Sequence, residues 1–319
     1  MSVTAPTPDP DWMRGLRRLA RTWRRWLQRW QRRRRAQRGD GSAIPDALWN
    51  PVVAALPPLQ ALDANERARL RDLCAAFLAR KEFSGAHGLV VDDRMALLVA
   101  AQACLPLRHR GLAALAWYDD FVGIVLHPDE VVAPRRVRDD AGVEHIYEEE
   151  LAGEAMQGGP IVLAWPRVQG ASPTAPGVGH NLVIHEFAHA IDLHGKPLGQ
   201  PADGCPLLPP GFLGLSDAQA RRHWHDVLHE ALAVHRERVA LHERFGGPAP
   251  WLDAYGAESP AEFFAVACEA YCVARERLAA EHPRLVELFD AFFGRPPDAT
   301  TGTGAGGLGD RSVSGAATP

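Results

Sequence analysis

Apolar residues recur at spacings of three and four along much of the chain, and the pattern breaks at proline and glycine clusters. From Trp12 to Trp30, the residues Trp12, Leu16, Leu19, Trp23, Trp26, Leu27 and Trp30 form the stripe of an amphipathic helix with arginine on its other face. Asp63 and Glu66 make a capping-box start for a helix through Leu70, Leu73, Phe77 and Leu78. Asp92 or Asp93 starts a second, whose run from Met95 to Cys104 is apolar nearly all round and so belongs in a core. Phe121 to Leu126 predicts a short strand ended by His127 and Pro128, and residues 134–158 fit a hairpin turning at Asp140-Ala141-Gly142. Ile161 to Trp165 reads as a strand bracketed by Pro160 and Pro166, which predicts a sheet edge.

A Pro/Gly/Ser loop over residues 166–180 leads into an apolar helix from Asn181 to Asp192. Ser216 and Gln219 then cap a helix reaching about Phe245, Gly246 to Pro250 breaks it, and residues 251–259 form a loop. Pro260 opens a helix at its favoured first turn, and a last helix covers about residues 282–293. No internal repeat is visible. The expected architecture is α+β: mostly helical, with a small mixed sheet whose edge strand borders a cleft. Three segments follow. Residues 1–43 are a Pro/Thr/Asp-rich start, the basic helix and a linker; 44–295 are the folded domain; 296–319 are a Gly/Ala/Thr-rich tail expected to be disordered.

Composition adds one asymmetry. The chain of 319 residues is 46% hydrophobic and 23% charged, as soluble globular proteins are, and no apolar run has the length of a membrane span. Net charge is −4, yet residues 14–38 hold 12 arginines and no acid, which leaves −16 on the rest. A Trp/Leu stripe opposite arginine over residues 12–38 suits an anionic membrane surface or an acidic partner, and docking on the chain's own acidic body weighs about equally. Nucleic acid is open on charge alone, but no direct nucleic-acid binding is expected. The segment lacks the contiguous apolar run of a secretory signal. Five cysteines with no Cys-x-x-Cys pair read as reduced core residues, with a cytoplasmic location to match.

The chemistry concentrates in His185-Glu186-Phe187-Ala188-His189. Four apart on a helix, His185 and His189 share a face and can bind one Zn²⁺, while Glu186 can reach a water at that ion as general base. A chance match is the bland alternative. Against it, Leu182, Val183, Ile184, Phe187, Ala188 and Ile191 make the helix apolar, where two histidines and a glutamate are costly unless a metal pairs with them. Strand, loop and motif helix come in the order of a zincin, whose edge strand can pair with an extended peptide substrate. Catalytic zinc takes a third protein ligand. The metzincin position, six residues after His189, is Gly195, which disfavours that class. Asp192 lies near the same face, but a direct bond to the same ion would strain the helix, so it reads either as a support for a ligand or as structural. Glu262 and Glu269, on one face of the Pro260 helix, are the better candidates, and Tyr255 could reach an oxyanion over the metal.

The sequences His185 to Asp192 and Tyr255-Gly256-Ala257-Glu258-Ser259-Pro260-Ala261-Glu262-Phe263-Phe264-Ala265-Val266 resemble the Mlc titration factor A family of bacterial zinc peptidases. Residues 77–83, 100–104 and 159–165 fit it as well, so the resemblance covers roughly 45–295. The family's catalytic half is similar to that of anthrax lethal factor. The resemblance implies a zincin-like fold and one Zn²⁺ per chain held by His185, His189 and Glu262, with Glu186 as base and Tyr255 as oxyanion helper. It further implies a cytoplasmic enzyme acting on peptide or protein substrates, and a transcription repressor, Mlc, as a partner of one member. The arginine-rich arm departs from the family's short N-terminus and adds a peripheral place at the inner membrane surface to the expectation.

The leading expectation is therefore a zinc metallopeptidase working by a metal-activated water with Glu186 as general base; amino-terminal (aminopeptidase) and internal cleavage are both open. The alternative is a zinc-stabilised regulator that sequesters a repressor, with hydrolysis weak or incidental. Two motifs are set aside. His225-Asp226-Val227-Leu228-His229 has histidines at ligand spacing but reads, with His223, His235 and His242, as a solvated helix face. Gly302 to Gly307 has glycine-loop spacing without a strand before it or a helix after it.

Overall fold

The computed structural model describes residues 44–129, 131–138, 144–151, 153–155, 158–169 and 181–296, and the side chains of those between 131 and 155 are left aside. The basic helix at 12–30, its linker, the hairpin turn at 140–142, the greater part of the loop before the motif helix, the glycine run at 302–307 and the tail beyond 296 lie outside the described residues.

Helices dominate. In chain order they are α1 (Asp46–Ala55), α2 (Pro57–Gln60), α3 (Ala64–Arg80), α4 (Asp93–Cys104), α5 (Trp165–Gln169), α6 (Leu182–Leu193), α7 (Asp217–Phe245), α8 (Pro260–Val273), α9 (Arg275–Glu281) and α10 (Pro283–Phe293). Their starts follow from local chemistry. Glu66 N–H donates to Asp63 Oδ1 at 2.8 Å and Asp63 N–H to Glu66 Oε2 at 3.1 Å, the reciprocal box expected at α3. Asp92 accepts from Met95 N–H at α4, Asn181 from Ile184 N–H at α6, and Ser259 from Glu262 N–H at α8. At α7 both the N–H and the hydroxyl of Ser216 donate to Gln219 Oε1.

The strands are β1 (Glu82–Gly85), β2 (Gly123–His127), β3 (Val131–Arg138), β4 (Glu144–Leu151), β5 (Gly153–Ala155) and β6 (Ile161–Ala164). A mixed sheet has the order β1-β2-β6-β5, with the first three parallel and β5 antiparallel to β6. β3 and β4 pair antiparallel as the predicted hairpin, with Val137 opposite His145. Two expectations are corrected here. The strand at 161–164 is interior, hydrogen-bonded on both sides, because Pro160 and Pro166 flank the paired residues without occupying them. The edge strand beside the motif helix is β5, which lies against α6. β1 was not expected at all: with Phe83 its only large apolar residue, it carries no period-2 signal.

Ile124, Leu126, Ile161 and Leu163 turn one sheet face into the core. Every residue of α4 from Met95 to Cys104 is buried, as its all-round apolarity predicts. Phe187 packs within ring-centroid distances of 4.9–5.7 Å of Phe77, Tyr118 and Phe121. That contact sets the rotation of α6, turning the opposite face, with His185 and His189, towards α8. On the far side of α8, Phe264 meets Trp224 and Phe289. Among the described residues no helix is long and apolar enough to cross a membrane.

Candidate metal centre

α6 and α8 pack on each other and bring the motif histidines to the first turn of α8. His185 Nε2 and His189 Nε2 each lie 3.1 Å from Glu262 Oε2 and 3.2 Å from one another. The three side chains are only 13–19% exposed. Among the described residues this is the one group of three or more histidine, cysteine or acidic side chains able to hold a metal ion. Ligand atoms about 2.1 Å from a tetrahedral ion stand roughly 3.4 Å apart, close to the observed separations, and two imidazoles with a carboxylate are a donor set that suits zinc. The residues present therefore fit a metal.

Electrostatics agree with a centre built for positive charge. Burial alone would lower His185, but hydrogen bonds to Glu262 and Glu269 raise it well above the usual histidine range. Burial alone would raise Glu262, but the two histidines hold its carboxyl far below the usual carboxylate range.

The remaining candidates relate to this cluster in different ways. Glu186, the next residue on α6, is 5% exposed. Tyr255 sits on a single 3-10 turn, Ala254–Ala257, half-buried, with its ring centroid 6.1 Å from that of His185. Asp192 is fully buried and engaged elsewhere: it accepts from Lys196 at 2.5 Å and from Gly204 N–H at 2.7 Å. Gly204 is needed there, since with φ +77 a Cβ would stand 2.4 Å from the carbonyl oxygen of Pro260. Asp192 thus ties the end of α6 to the loop packed on the start of α8, the structural one of its two expected parts. Glu269 approaches His185 on the ring's other nitrogen, Nδ1, and so does not join the cluster.

His225 and His229 stay apart from the cluster, with His229 and Asp226 exposed, as the solvated-face reading has it. His235 does not: it is 1% exposed, and its Nε2 is 2.9 Å from the carbonyl oxygen of Asp253, two residues before Tyr255. A signal was available, because Val227, Leu228, Ala231, Leu232, His235 and Val239 continue one buried stripe of α7. Also missed was the role of Gln102 and Asn181, buried polar residues joined at 2.9 Å behind Glu269. A lone amide in an otherwise apolar helix was the clue to Gln102.

Comparison with known proteins gives concordant matches. The model of the glucose-regulated metallo-peptidase M90 family matches residues 27–294. The Mlc titration factor A of Salmonella arizonae is 33% identical over 79% of this chain and 92% of its own length. Proteins of that name from Enterobacter sp. and Escherichia fergusonii are each 32% identical, over 79% and 78% of this chain and 88% and 86% of their own. With a family model spanning most of the sequence and relatives of this identity covering over three quarters of it, the chain belongs to the glucose-regulated metallo-peptidase M90 family.

Proposed function

We propose that the chain is a zinc-dependent peptidase of the zincin kind, with His185, His189 and Glu262 as metal ligands, Glu186 as general base and Tyr255 as oxyanion donor. One observation carries the reading: three ligand atoms from α6 and α8 gathered within 4.8 Å of one another, with a buried glutamate beside them. Zinc bound there would supply Lewis acidity and bring the acidity of a water into the neutral range. Glu186 takes the proton of the attacking water and hands it to the leaving amine. The Tyr255 hydroxyl donates to the oxygen on which charge develops as the carbonyl carbon becomes tetrahedral. β5, antiparallel and at the sheet edge next to α6, offers main-chain groups to an extended peptide.

The test is metal content with turnover. About one zinc per chain is expected in the wild type, largely lost in Glu262→Ala. Glu186→Gln keeps the metal and loses hydrolysis of short peptides by about 100-fold or more. A Glu186→Gln enzyme with full turnover would remove Glu186 from the mechanism, and a wild type that takes up no zinc would sink the enzyme.

The relatives' name, Mlc titration factor A, favours a second reading in which the chain, in the cytoplasm, also captures a transcription repressor. Binding of purified Mlc repressor that survives Glu186→Gln, in a wild type without peptidase activity, would make capture the primary function.

A further inference from the structure

Glu269 lies two turns beyond Glu262 on α8 and takes no part in the three-atom cluster. Its carboxylate is nevertheless fully used. Oε1 is 2.8 Å from His185 Nδ1, and Oε2 accepts the backbone N–H of Asn181, the N-cap of the motif helix. Behind it the network continues. Asn181 Oδ1 accepts from Ile184 N–H, and Asn181 Nδ2 donates to Gln102 Oε1, each at 2.9 Å. Gln102 Nε2 in turn donates to the carbonyl oxygen of Leu98, which leaves its oxygen facing Asn181. Glu269, Asn181 and Gln102 are 2–6% exposed.

We infer that Glu269, held by Asn181 and backed by Gln102, is the positioning carboxylate of the metal centre, fixing His185 with its proton on Nδ1 and its Nε2 lone pair aimed at the ion. The inference rests on the zinc-site reading above. A neutral imidazole has two tautomers, and only one presents Nε2 as a ligand; an acceptor at Nδ1 selects it and makes the ligand more basic. A buried carboxylate is costly unless donors surround it, and both of its oxygens are supplied here. Because one of those donors is the N-cap of α6, the carboxylate sets the start of the motif helix and the ring on its first turn together. The chain of contacts runs from α4 through the N-cap of α6 to α8 and back to His185. Glu269 is not a fourth ligand, because the imidazole ring stands between it and the cluster.

Zinc affinity of the full-length protein, by competition with a chromophoric chelator, tests this. Glu269→Gln keeps the shape but has one acceptor, for which His185 Nδ1–H and Asn181 N–H compete. The expected result is about 10- to 100-fold weaker zinc binding. Wild-type affinity in Glu269→Gln would overturn the inference, even if the zinc-free variant melts earlier, because the carboxylate would then only fill space. A loss as complete as in Glu262→Ala would make Glu269 a ligand and overturn it as well. A wild type without zinc affinity would bring down the zinc site itself. Should the variant fail to fold, histidine ring ¹⁵N spectra of the zinc-loaded wild type decide: a proton on His185 Nδ1 is expected, and one on Nε2 refutes the assignment.

Discussion

His185 stands between two carboxylates, Glu262 at Nε2 and Glu269 at Nδ1, in a site where burial would otherwise keep it neutral. Two acids on one half-buried imidazole are hard to explain as core packing, since each must be desolvated. They make sense around a cation, whose charge Glu262 would share directly and Glu269 would support through the ring. In the proposed mechanism Tyr255 serves as oxyanion donor and not as a ligand, so Tyr255→Phe should retain zinc and the wild-type melting temperature. Its kcat should fall by about 100-fold, the usual cost of one oxyanion donor. Unchanged kinetics on a short chromogenic peptide would take Tyr255 out of the site. The histidines and Glu186 were legible in the sequence because helical spacing alone relates them. Glu262 and Tyr255 were candidates by their position at and before the start of α8, and the family resemblance singled out Glu262 over Glu269. Glu269's role was not legible, because its partner lies 84 residues away and spacing along α8 says only that it shares a face with Glu262.

At the scale of elements, the turn bearing Tyr255 is held from outside. Its backbone is fastened by α7: His235 Nε2 lies 2.9 Å from the Asp253 carbonyl oxygen, and Arg236 donates to the carbonyl oxygens of Ala257 and Glu258 at 2.7 and 3.1 Å. Asp253 closes the near end by accepting from Tyr255 N–H at 3.0 Å. Arg236 is exposed and bonds backbone carbonyls of the turn, not a candidate ligand, so Arg236→Ala should leave zinc content untouched. It should cost about 1 kcal/mol of stability, as lost charge-assisted bonds do, and lower kcat several-fold by loosening Tyr255. A double variant with Tyr255→Phe should be no slower than Tyr255→Phe alone; additive losses would mean that Arg236 acts by another route. Sequence patterning located the long helices from α3 on because caps and periodicity are local, but it missed α9 and put a strand end and loop where α5 lies. It misplaced the sheet edge because pairing partners are not local: β2, β5 and β6 are assembled from residues 123 to 164, and nothing within Ile161 to Ala164 distinguishes one paired edge from two.

For the whole molecule, acid should be the main threat, through histidines that the core holds uncharged. Burial, reinforced by Arg108, pushes His109 down to about 4 from an ordinary 6.5; burial, with Arg238, does the same to His282. His109 has 7% of its side chain exposed and His282 as a whole residue 6%, and the Nε2 atoms of both are buried without a hydrogen-bond partner. Between pH 6.5 and 4 the unfolded chain binds more protons than the folded one at these two positions. Their neutral forms therefore support the fold fully above pH 6.5, and that support is lost as pH falls through 4. A depression of this size is worth on the order of 3 kcal/mol per histidine at full protonation. His282→Phe keeps a ring against Phe263 and removes both the titration and the orphaned nitrogen. The thermal midpoint of His282→Phe should consequently drop less between pH 7 and pH 5 than that of the wild type, with the metal centre common to both and cancelling in the comparison. Equal drops would mean that His282 is hydrated in solution and carries no part of the acid sensitivity.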